Sequence, residues 1–271
     1  MSTLQLKYLK KYFGGVKAVD NCSFEVKENT ITALIGPNGS GKTTVFNLIS
    51  GILKADEGKI YFKINPKSKI LNPKQIQNSN FQNSKVNYLE ITNLAPEKIS
   101  NLGISRLFQQ SRLFSNLTVK ENLLLALDNE DTKFWKNLLG LNKITKEKEE
   151  KIKEMLNLVE MEKFENKLAR ELSYGQKRLI ELIRTILNPH KFLMLDEPVA
   201  GVNPKLREKI REILLKLKNQ GETILLIEHD MNFTLKVSDW IIVMEKGKVI
   251  AEGKPEEIKT NPKVLDAYLG E

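Results

Sequence analysis

A glycine-rich segment near the N-terminus restricts the fold of this chain more than any other feature. The segment follows the apolar run Thr30–Ile35 and comprises Gly36, Pro37, Asn38, Gly39, Ser40, Gly41, Lys42, Thr43 and Thr44. It matches a phosphate-binding loop, in which glycines let backbone N–H groups turn toward phosphate oxygens at the start of a helix. Lys42 is placed to reach the β- and γ-phosphates, and the Thr43 hydroxyl to ligate Mg²⁺. We therefore predict that the chain binds a nucleoside triphosphate.

A second chemical signal is an apolar strand that ends in two acidic residues. Residues Phe192–Leu195 precede Asp196 and Glu197. A carboxylate at the end of a buried strand beside a phosphate-binding loop can hold Mg²⁺, and we assign this role to Asp196. Glu197 is then placed to polarise the attacking water as a general base.

Apolar patterning along the chain predicts an α/β fold. Alternation favours strands in the first sixty residues, and residues 118–188 are helical in pattern. Later strands alternate with helices through long connections, which favours a mainly parallel sheet covered on both faces. The helix after the phosphate-binding loop should start near Gly41 and end or fray at Gly51. Its buried side should carry Val45, Leu48, Ile49 and Ile52.

Composition excludes several classes of protein. No apolar run approaches about 20 residues, the length that a membrane-spanning helix needs. The single cysteine, Cys22, excludes an internal disulfide and makes a thiolate metal cluster unexpected. The net charge of +9 favours contact with nucleotides, nucleic acid or an anionic membrane surface without choosing among them. We expect a soluble or peripheral intracellular protein.

Residues 64–88 differ from the rest of the chain in composition. They contain no Asp or Glu and are rich in Asn, Gln, Ser and Lys. Because so few apolar residues cannot offset the entropy of ordering, we predict a polar surface insertion.

The segment Leu172-Ser173-Tyr174-Gly175-Gln176 adds a family resemblance. Ser173 is a good N-cap for the apolar helix that follows, and bare N–H groups at a helix start bind phosphate well. The segment resembles the signature Leu-Ser-Gly-Gly-Gln of the ATP-binding cassette (ABC) family, which implies that Ser173, Gly175 and Gln176 contact nucleotide. The implied fold is a RecA-like P-loop NTPase core with an antiparallel β subdomain and an inserted α-helical subdomain.

The resemblance spans nearly the whole chain and implies an approximate division of one ABC ATPase domain, residues 1–271. The core and β subdomain would comprise residues 1–63 and 189–252. The helical subdomain with the signature would comprise residues 112–188, and a C-terminal helical tail residues 253–271.

Further site residues follow from the same resemblance. Phe13, or its neighbour Tyr12, resembles the aromatic residue that stacks on adenine. Gln109 resembles the Q-loop glutamine that touches Mg²⁺ and relays closure to the membrane subunit. His229 resembles the switch histidine that contacts the γ-phosphate and orients water. The resemblance therefore implies a catalytic set of Glu197, His229 and Gln109, with Mg²⁺ held by Thr43, Gln109 and Asp196.

Two departures from the family pattern point to a subfamily. Tyr174 replaces the first glycine of the signature and adds bulk where the phosphate bound to a partner subunit should lie. Asn203 replaces an aspartate that crosses the dimer, so coupling between subunits should be weaker. Both departures, and the terminal residues 267–271 (AYLGE), resemble the ATPases of branched-chain amino-acid (Liv-type) importers. Urea importers and a lipopolysaccharide exporter have similar cassettes and remain alternatives.

One phosphate-binding loop and one signature in a single chain cannot complete the composite site of this family. The resemblance therefore implies a dimer with an identical or related cassette, permease subunits, a substrate-binding protein, ATP and Mg²⁺, and a position on the cytoplasmic face of the membrane. An ABC ATPase that acts on nucleic acid or ribosomes is a second class, although the chain lacks the fused cassettes or sustained heptads usual there. A nucleotide-binding scaffold without turnover is a third class, disfavoured by the presence of Glu197 and His229.

Overall fold

The computed structural model describes residues 1–64, 88–108, 113–127 and 146–269, which fall into two compact units. The first unit comprises Met1–Ile104, Lys191–Asp196 and Leu214–Glu271, and the second comprises Ser105–His190 and Glu197–Ile213. Gln109 and residues 65–87 of the predicted insertion lie outside the described residues.

An antiparallel sheet in the first unit has the strand order β2-β1-β4-β5. Its strands are β1 (Ser2–Phe13), β2 (Val16–Lys27), β4 (Glu57–Lys63) and β5 (Tyr88–Glu90). Alternation along β2 places Cys22, Phe24 and Val26 on one buried face, as the pattern of the sequence predicts.

The larger sheet of the first unit is mostly parallel. It contains β3 (Ile31–Ile35), β7 (Phe192–Asp196), β8 (Thr223–Ile227), β9 (Trp240–Glu245) and β10 (Lys248–Gly253). These five strands lie in the order β10-β9-β3-β8-β7, and only β10 pairs antiparallel to its neighbour. A short strand, β6 (Ile104–Leu107), begins where the second unit takes over from the first.

Helices occur in both units. In the first unit they are α1 (Lys42–Ile49), α2 (Pro96–Asn101), α7 (Met231–Val237), α8 (Pro255–Lys259) and α9 (Pro262–Leu269). The second unit has α3 (Val119–Leu127), α4 (Lys146–Leu158) and α5 (Tyr174–Leu187), with short 3₁₀ turns at Glu162–Phe164 and Ala169–Glu171. Helix α6 (Pro204–Asn219) starts in the second unit and ends in the first. No helix in the described ranges has the length and apolarity needed to cross a bilayer.

The parallel sheet buries a different set of side chains on each face. Leu34, Ile242 and Met244 belong to a large apolar cluster with α1 and the antiparallel sheet. Their sequence neighbours Ala33, Ile35, Ile241 and Val243 pack on the opposite face against Ile258 of α8 and Val264 of α9. Because successive side chains of a strand point to opposite faces, β3 and β9 are buried on both sides. The strand that leads into the glycine-rich loop is therefore held rigidly.

Helix α1 ends before Gly51, as predicted, but the prediction that Ile52 is buried is wrong. The helix ends at Ile49, and Gly51 follows in a left-handed conformation with φ of 72°. Ile52 lies beyond this turn and is 42% exposed, whereas Val45, Leu48 and Ile49 are buried as predicted. A glycine at this position favours helix termination because it adopts positive φ without steric cost.

The second unit has a buried amide side chain on one of its helices. Asn122 of α3 is fully buried. Its Oδ1 accepts the Phe114 N–H at 2.9 Å, and its Nδ2 donates to the carbonyls of Phe114 at 3.1 Å and Thr118 at 2.9 Å. These hydrogen bonds tie the side chain to the backbone that leads into α3, which explains a polar residue in the helix core.

The reactivity of the Cys22 thiol tests the packing of β2 in the first unit. Burial on β2 raises the pKa of Cys22 to about 12, because the thiolate would be poorly solvated there. We expect the folded protein to react with Ellman's reagent at least about 100-fold more slowly than the urea-unfolded chain. Equal rates in the two states would contradict the packing of β2, and a Cys22→Ser variant gives the background.

Candidate active site

Three parallel strands bring the main sequence motifs of the first unit to one edge of the sheet. Leu34 of β3 pairs with Ile227 of β8, and Ile227 pairs with Asp196 of β7. The glycine-rich loop follows β3, residues 228 and 229 follow β8, and Asp196 ends β7. Since the carboxyl ends of parallel strands share an edge, phosphate-binding, acidic and histidine residues meet there.

Glycine is required in the loop by close approach of other backbone segments. A Cβ at Gly36, where φ is 145°, would lie 2.0 Å from the Met244 carbonyl oxygen of β9. A Cβ at Gly41, where φ is 102°, would lie 2.3 Å from the Ala18 carbonyl oxygen of β2. Gly247 completes the support, because its N–H donates to the Ser40 carbonyl at 3.0 Å. The loop is thus wedged between β2 and the β9–β10 turn.

The Lys42 ammonium lies within the loop itself. Its Nζ donates to the carbonyls of Gly36 at 2.7 Å and Pro37 at 2.8 Å, and to the Ser40 hydroxyl at 3.2 Å. Lys42 is only 5% exposed, so its charge needs these oxygens as partners. The same arrangement holds the ammonium at the loop centre, where a phosphate anion would be attracted.

The oxygen donors near the loop suit a small hard cation. Thr43, in the first turn of α1, is exposed, and Asp196 is 1% exposed. A hydroxyl and a carboxylate are the donor types that Mg²⁺ prefers, and Mg²⁺ usually completes its shell with water and phosphate. No cluster of three His, Cys, Asp or Glu side chains within the described ranges forms a metal cage of its own. The donor types fit Mg²⁺ brought with a nucleotide.

Residues after β8 are fixed by side-chain to backbone hydrogen bonds. Glu228 is buried, and its Oε2 accepts the N–H groups of His229 at 2.9 Å and Asp230 at 3.3 Å. Asp230 in turn caps α7 by accepting the Phe233 N–H at 3.0 Å. The exposed His229 is therefore carried on a well-ordered backbone. Glu228 was not predicted as a site residue, although an acid directly before the histidine was visible in the sequence.

The structure separates the two aromatic candidates for adenine stacking by exposure. Phe13 ends β1, is 47% exposed and lies 5.4 Å from the Lys11 ammonium. Tyr12 is half-buried, and its hydroxyl donates to Asp20 at 3.1 Å. An exposed ring is available for stacking, so Phe13 stays the stronger prediction.

The signature residues start helix α5 in the second unit. Ser173 is the N-cap, and its Oγ accepts the Gln176 N–H at 3.4 Å while Gln176 Oε1 accepts the Ser173 N–H at 2.9 Å. This reciprocal capping box confirms the predicted N-cap and gives Gln176 a local structural role. The other first-turn N–H groups remain directed along the helix axis, as anion binding requires.

Tyr174 and Asn203, which depart from the family pattern, both have local partners. A Cβ at Gly201 would lie 2.9 Å from the Tyr174 ring, so the glycine makes room for the tyrosine. Asn203 Oδ1 accepts the Leu206 N–H at 3.0 Å and caps α6. Farther along this helix Lys209 and Lys205 bind Glu160 at 2.6 Å and 3.0 Å and hold the pKa of that carboxyl at about 2.

Comparison with known proteins identifies the family. Residues 19–200 match the ABC transporter family, and residues 248–271 match the family described as branched-chain amino acid ATP-binding cassette transporter. The chain belongs to the ABC transporter family. It is 38% identical to a probable branched-chain amino acid transport ATP-binding protein LivG of Archaeoglobus fulgidus, over 100% of this chain and 96% of the relative. It is 36% identical to the high-affinity branched-chain amino acid transport ATP-binding protein BraF of Pseudomonas aeruginosa, over 99% and 98%.

Solved cassettes of the ABC family share the fold. The ADP conformation of MJ1267, an ATP-binding cassette of an ABC transporter, has 34% identity and a TM-score of 0.76 over the whole of both chains. The dimeric structure of the bacterial cassette MJ0796 has 26% identity and a TM-score of 0.71 over 93% of this chain and 98% of that one. The predicted P-loop α/β fold, the family resemblance and the assignment as an ABC ATPase are confirmed, as is nucleotide binding.

A buried arginine of this ABC cassette was not among the predicted site residues. Arg178, in the second turn of α5, is only 2% exposed, and its guanidinium donates to the Glu197 carbonyl. In the sequence, this arginine lies beside the apolar stripe of a helix. A charged side chain at such a position needs a partner when it is buried. Among the predicted catalytic residues, Glu197 lies in the second unit and His229 in the first, and their roles stay predictions.

Proposed function

We propose that this chain is the ATP-hydrolysing subunit of a membrane transporter that imports branched-chain amino acids. The observation that carries the cargo assignment is the match of residues 248–271 to the branched-chain family. These residues form β10, α8 and α9, whose Ile258 and Val264 pack on Ala33 and Ile35 of β3. The segment typical of this subfamily therefore supports the strand that leads into the phosphate-binding loop.

ATP would bind with its phosphates against the loop and the start of α1. The Lys42 ammonium would exchange the carbonyls of Gly36 and Pro37 for phosphate oxygens, while loop N–H groups and the helix dipole hold the remaining charge. Phe13 would stack on the adenine ring. The stacking of Phe13 binds ground state and transition state alike, so it sets affinity more than rate.

Hydrolysis would depend on two acidic residues and a histidine. When bound, Mg²⁺ would be held by Thr43 and Asp196 and neutralise charge on the β- and γ-phosphates. Glu197 would accept a proton from the attacking water, and His229 would orient the water and the γ-phosphate. Gln109 is proposed as a further Mg²⁺ contact on the basis of the family resemblance alone.

A complete site would need two cassettes. Ser173, Gly175 and Gln176 of one subunit would face the phosphates bound to another, since the capped start of α5 offers N–H donors to an anion. ATP would join the subunits, and its hydrolysis would release them, an order-and-release switch that could drive permease subunits. We place the protein on the cytoplasmic face of the membrane, with a substrate-binding protein delivering the cargo.

Uptake of labelled leucine in cells of the source organism tests this proposal. Cells in which Glu197→Gln replaces the wild-type gene should lose at least about 90% of energised uptake, because import would stop when hydrolysis stops. Glu150→Gln, the same change at an exposed position of α4, should leave uptake unchanged. Uptake of an unrelated solute controls for general damage to the membrane.

Normal leucine uptake in the Glu197→Gln cells, with no redundant importer present, would contradict the cargo assignment. Urea import and lipid export would then be measured in the same cells. Unchanged ATP hydrolysis by the purified Glu197→Gln protein would contradict the ATPase mechanism itself.

A further inference from the structure

Helix α5 holds the backbone of Glu197 through a buried arginine. Arg178 Nε and Nη2 donate to the Glu197 carbonyl oxygen at 3.1 Å and 2.9 Å. The Ala200 N–H donates to the same oxygen at 3.2 Å. One carbonyl thus accepts three hydrogen bonds, two of them charge-assisted and therefore stronger than neutral ones.

The backbone conformation of Glu197 is one that needs support from its surroundings. Its φ is +52°, in the left-handed region that a residue with a Cβ enters only at a cost of about 1–2 kcal/mol. Such a conformation persists when the surroundings hold it, and Arg178 supplies a directional hold on the peptide unit. The direction of the Glu197 Cα–Cβ bond follows from that backbone conformation.

Arg178 also binds the backbone directly after β6. Its Nη1 donates to the Phe108 carbonyl, and the same nitrogen lies 3.7 Å from Glu181 Oε2. Arg178 and Glu181 are 2% and 6% exposed, so the pair is shielded from water. The planar guanidinium serves several acceptors in fixed directions at once, which a lysine ammonium on a flexible stem cannot do.

The signature and Arg178 lie on the same rigid element. Ser173 caps α5, and Arg178 follows within the second turn. A Cβ at Gly175 would lie 2.8 Å from the Gly201 carbonyl, so the first turn also approaches the segment that follows Glu197. A shift of the start of α5 would therefore move the contacts that hold Glu197.

We propose that Arg178 is a positioning residue that holds Glu197 in its hydrolytic conformation and couples it to the signature end of α5. This inference rests on the proposed role of Glu197 in ATP hydrolysis. It predicts that the loss of Arg178 lowers turnover without weakening ATP binding, because the phosphate-binding loop belongs to the other unit.

The test compares purified full-length variants by ATPase kinetics and hydrogen exchange. Arg178→Gln would leave the Glu181 carboxylate buried without its ion pair to Arg178, so the main variant is the double change Arg178→Gln with Glu181→Gln. We expect kcat to fall at least about tenfold, KM for ATP to change less than about threefold, and amide exchange at Ala200 to accelerate. Glu181→Gln alone is the matched control and should keep kcat within about threefold, and Arg178→Lys should be intermediate.

Single-turnover rates separate positioning from general destabilisation. In a Glu197→Gln background, the loss of Arg178 should lower the rate by less than about twofold, because the group that it positions is already gone. Unchanged kcat in the Arg178 variants, or faster exchange at Ala200 with normal kcat, would overturn the inference while the proposed function stands. Normal turnover of Glu197→Gln would instead overturn the proposed function, and this inference with it.

Discussion

Replacing Gly36 by alanine should lower the free energy of unfolding by about 3 kcal/mol or more and abolish nucleotide binding. The new Cβ would meet the Met244 carbonyl at 2.0 Å and the Ser40 hydroxyl at 3.0 Å, at a φ of 145°. Met244 lies in β9, which pairs with both β3 and β10, so its carbonyl cannot withdraw without disturbing the sheet. Urea unfolding and binding of a fluorescent ATP analogue measure the two effects.

Gly39→Ala is the matched control for this substitution. Gly39 also has positive φ, at 76°, but a Cβ there would meet no atom within 4 Å. It should cost only about 1–2 kcal/mol, the conformational part of the effect. If the two alanine variants unfold at the same urea concentration, the proposed wedging of the loop against β9 is wrong.

Replacing Glu197 by glutamine should reduce ATP turnover by about 10²–10⁴-fold, the range typical of a lost general base. Glutamine keeps the shape and hydrogen-bonding reach of the side chain but cannot accept the proton. The phosphate-binding loop is untouched, so the affinity for ATP should change less than about threefold. Size-exclusion chromatography with ATP should show a persistent dimer, because the nucleotide that joins the subunits is not consumed.

The same exposed substitution, Glu150→Gln, serves as the control for turnover. It removes one carboxylate from α4 and should leave rate and dimer lifetime unchanged. Rapid turnover in the Glu197→Gln variant would show that Glu197 is not the general base. Slow turnover without a trapped dimer would instead count against the nucleotide-joined pair of cassettes.

The local pattern of the sequence predicted most of the fold. The strand over Thr223–Ile227 agrees with its apolar pattern, and the buried stripe of α4 includes Ile152 and Leu156. The strand corresponds to a short continuous apolar run and the helix to apolar residues at helical spacing, and both patterns depend on neighbours within one element. Ile52 was the exception, because the end of α1 depends on the conformation of Gly51 rather than on apolar spacing.

The departures from the family pattern show where sequence reasoning reached its limit. Tyr174 and Asn203 were interpreted through a partner subunit, as added bulk and lost charge. The structure gives each an additional local partner, since Gly201 accommodates the ring and Asn203 caps α6. The tyrosine and its glycine are far apart along the chain, so no local pattern connects them.

The phosphate-binding loop, the acidic end of β7 and the signature could be predicted without a structure, because each is a run of consecutive residues whose chemistry depends on their spacing. The role of Arg178 required the folded structure, which brings together this residue and its acceptors at Glu197 and Phe108, 19 and 70 residues away. The folded structure also revealed that Lys42 binds the carbonyls of its own loop and that β9 forces glycine at position 36. The role of a buried charge or of a required glycine can be identified only when folding brings its partners within hydrogen-bond or van der Waals distance.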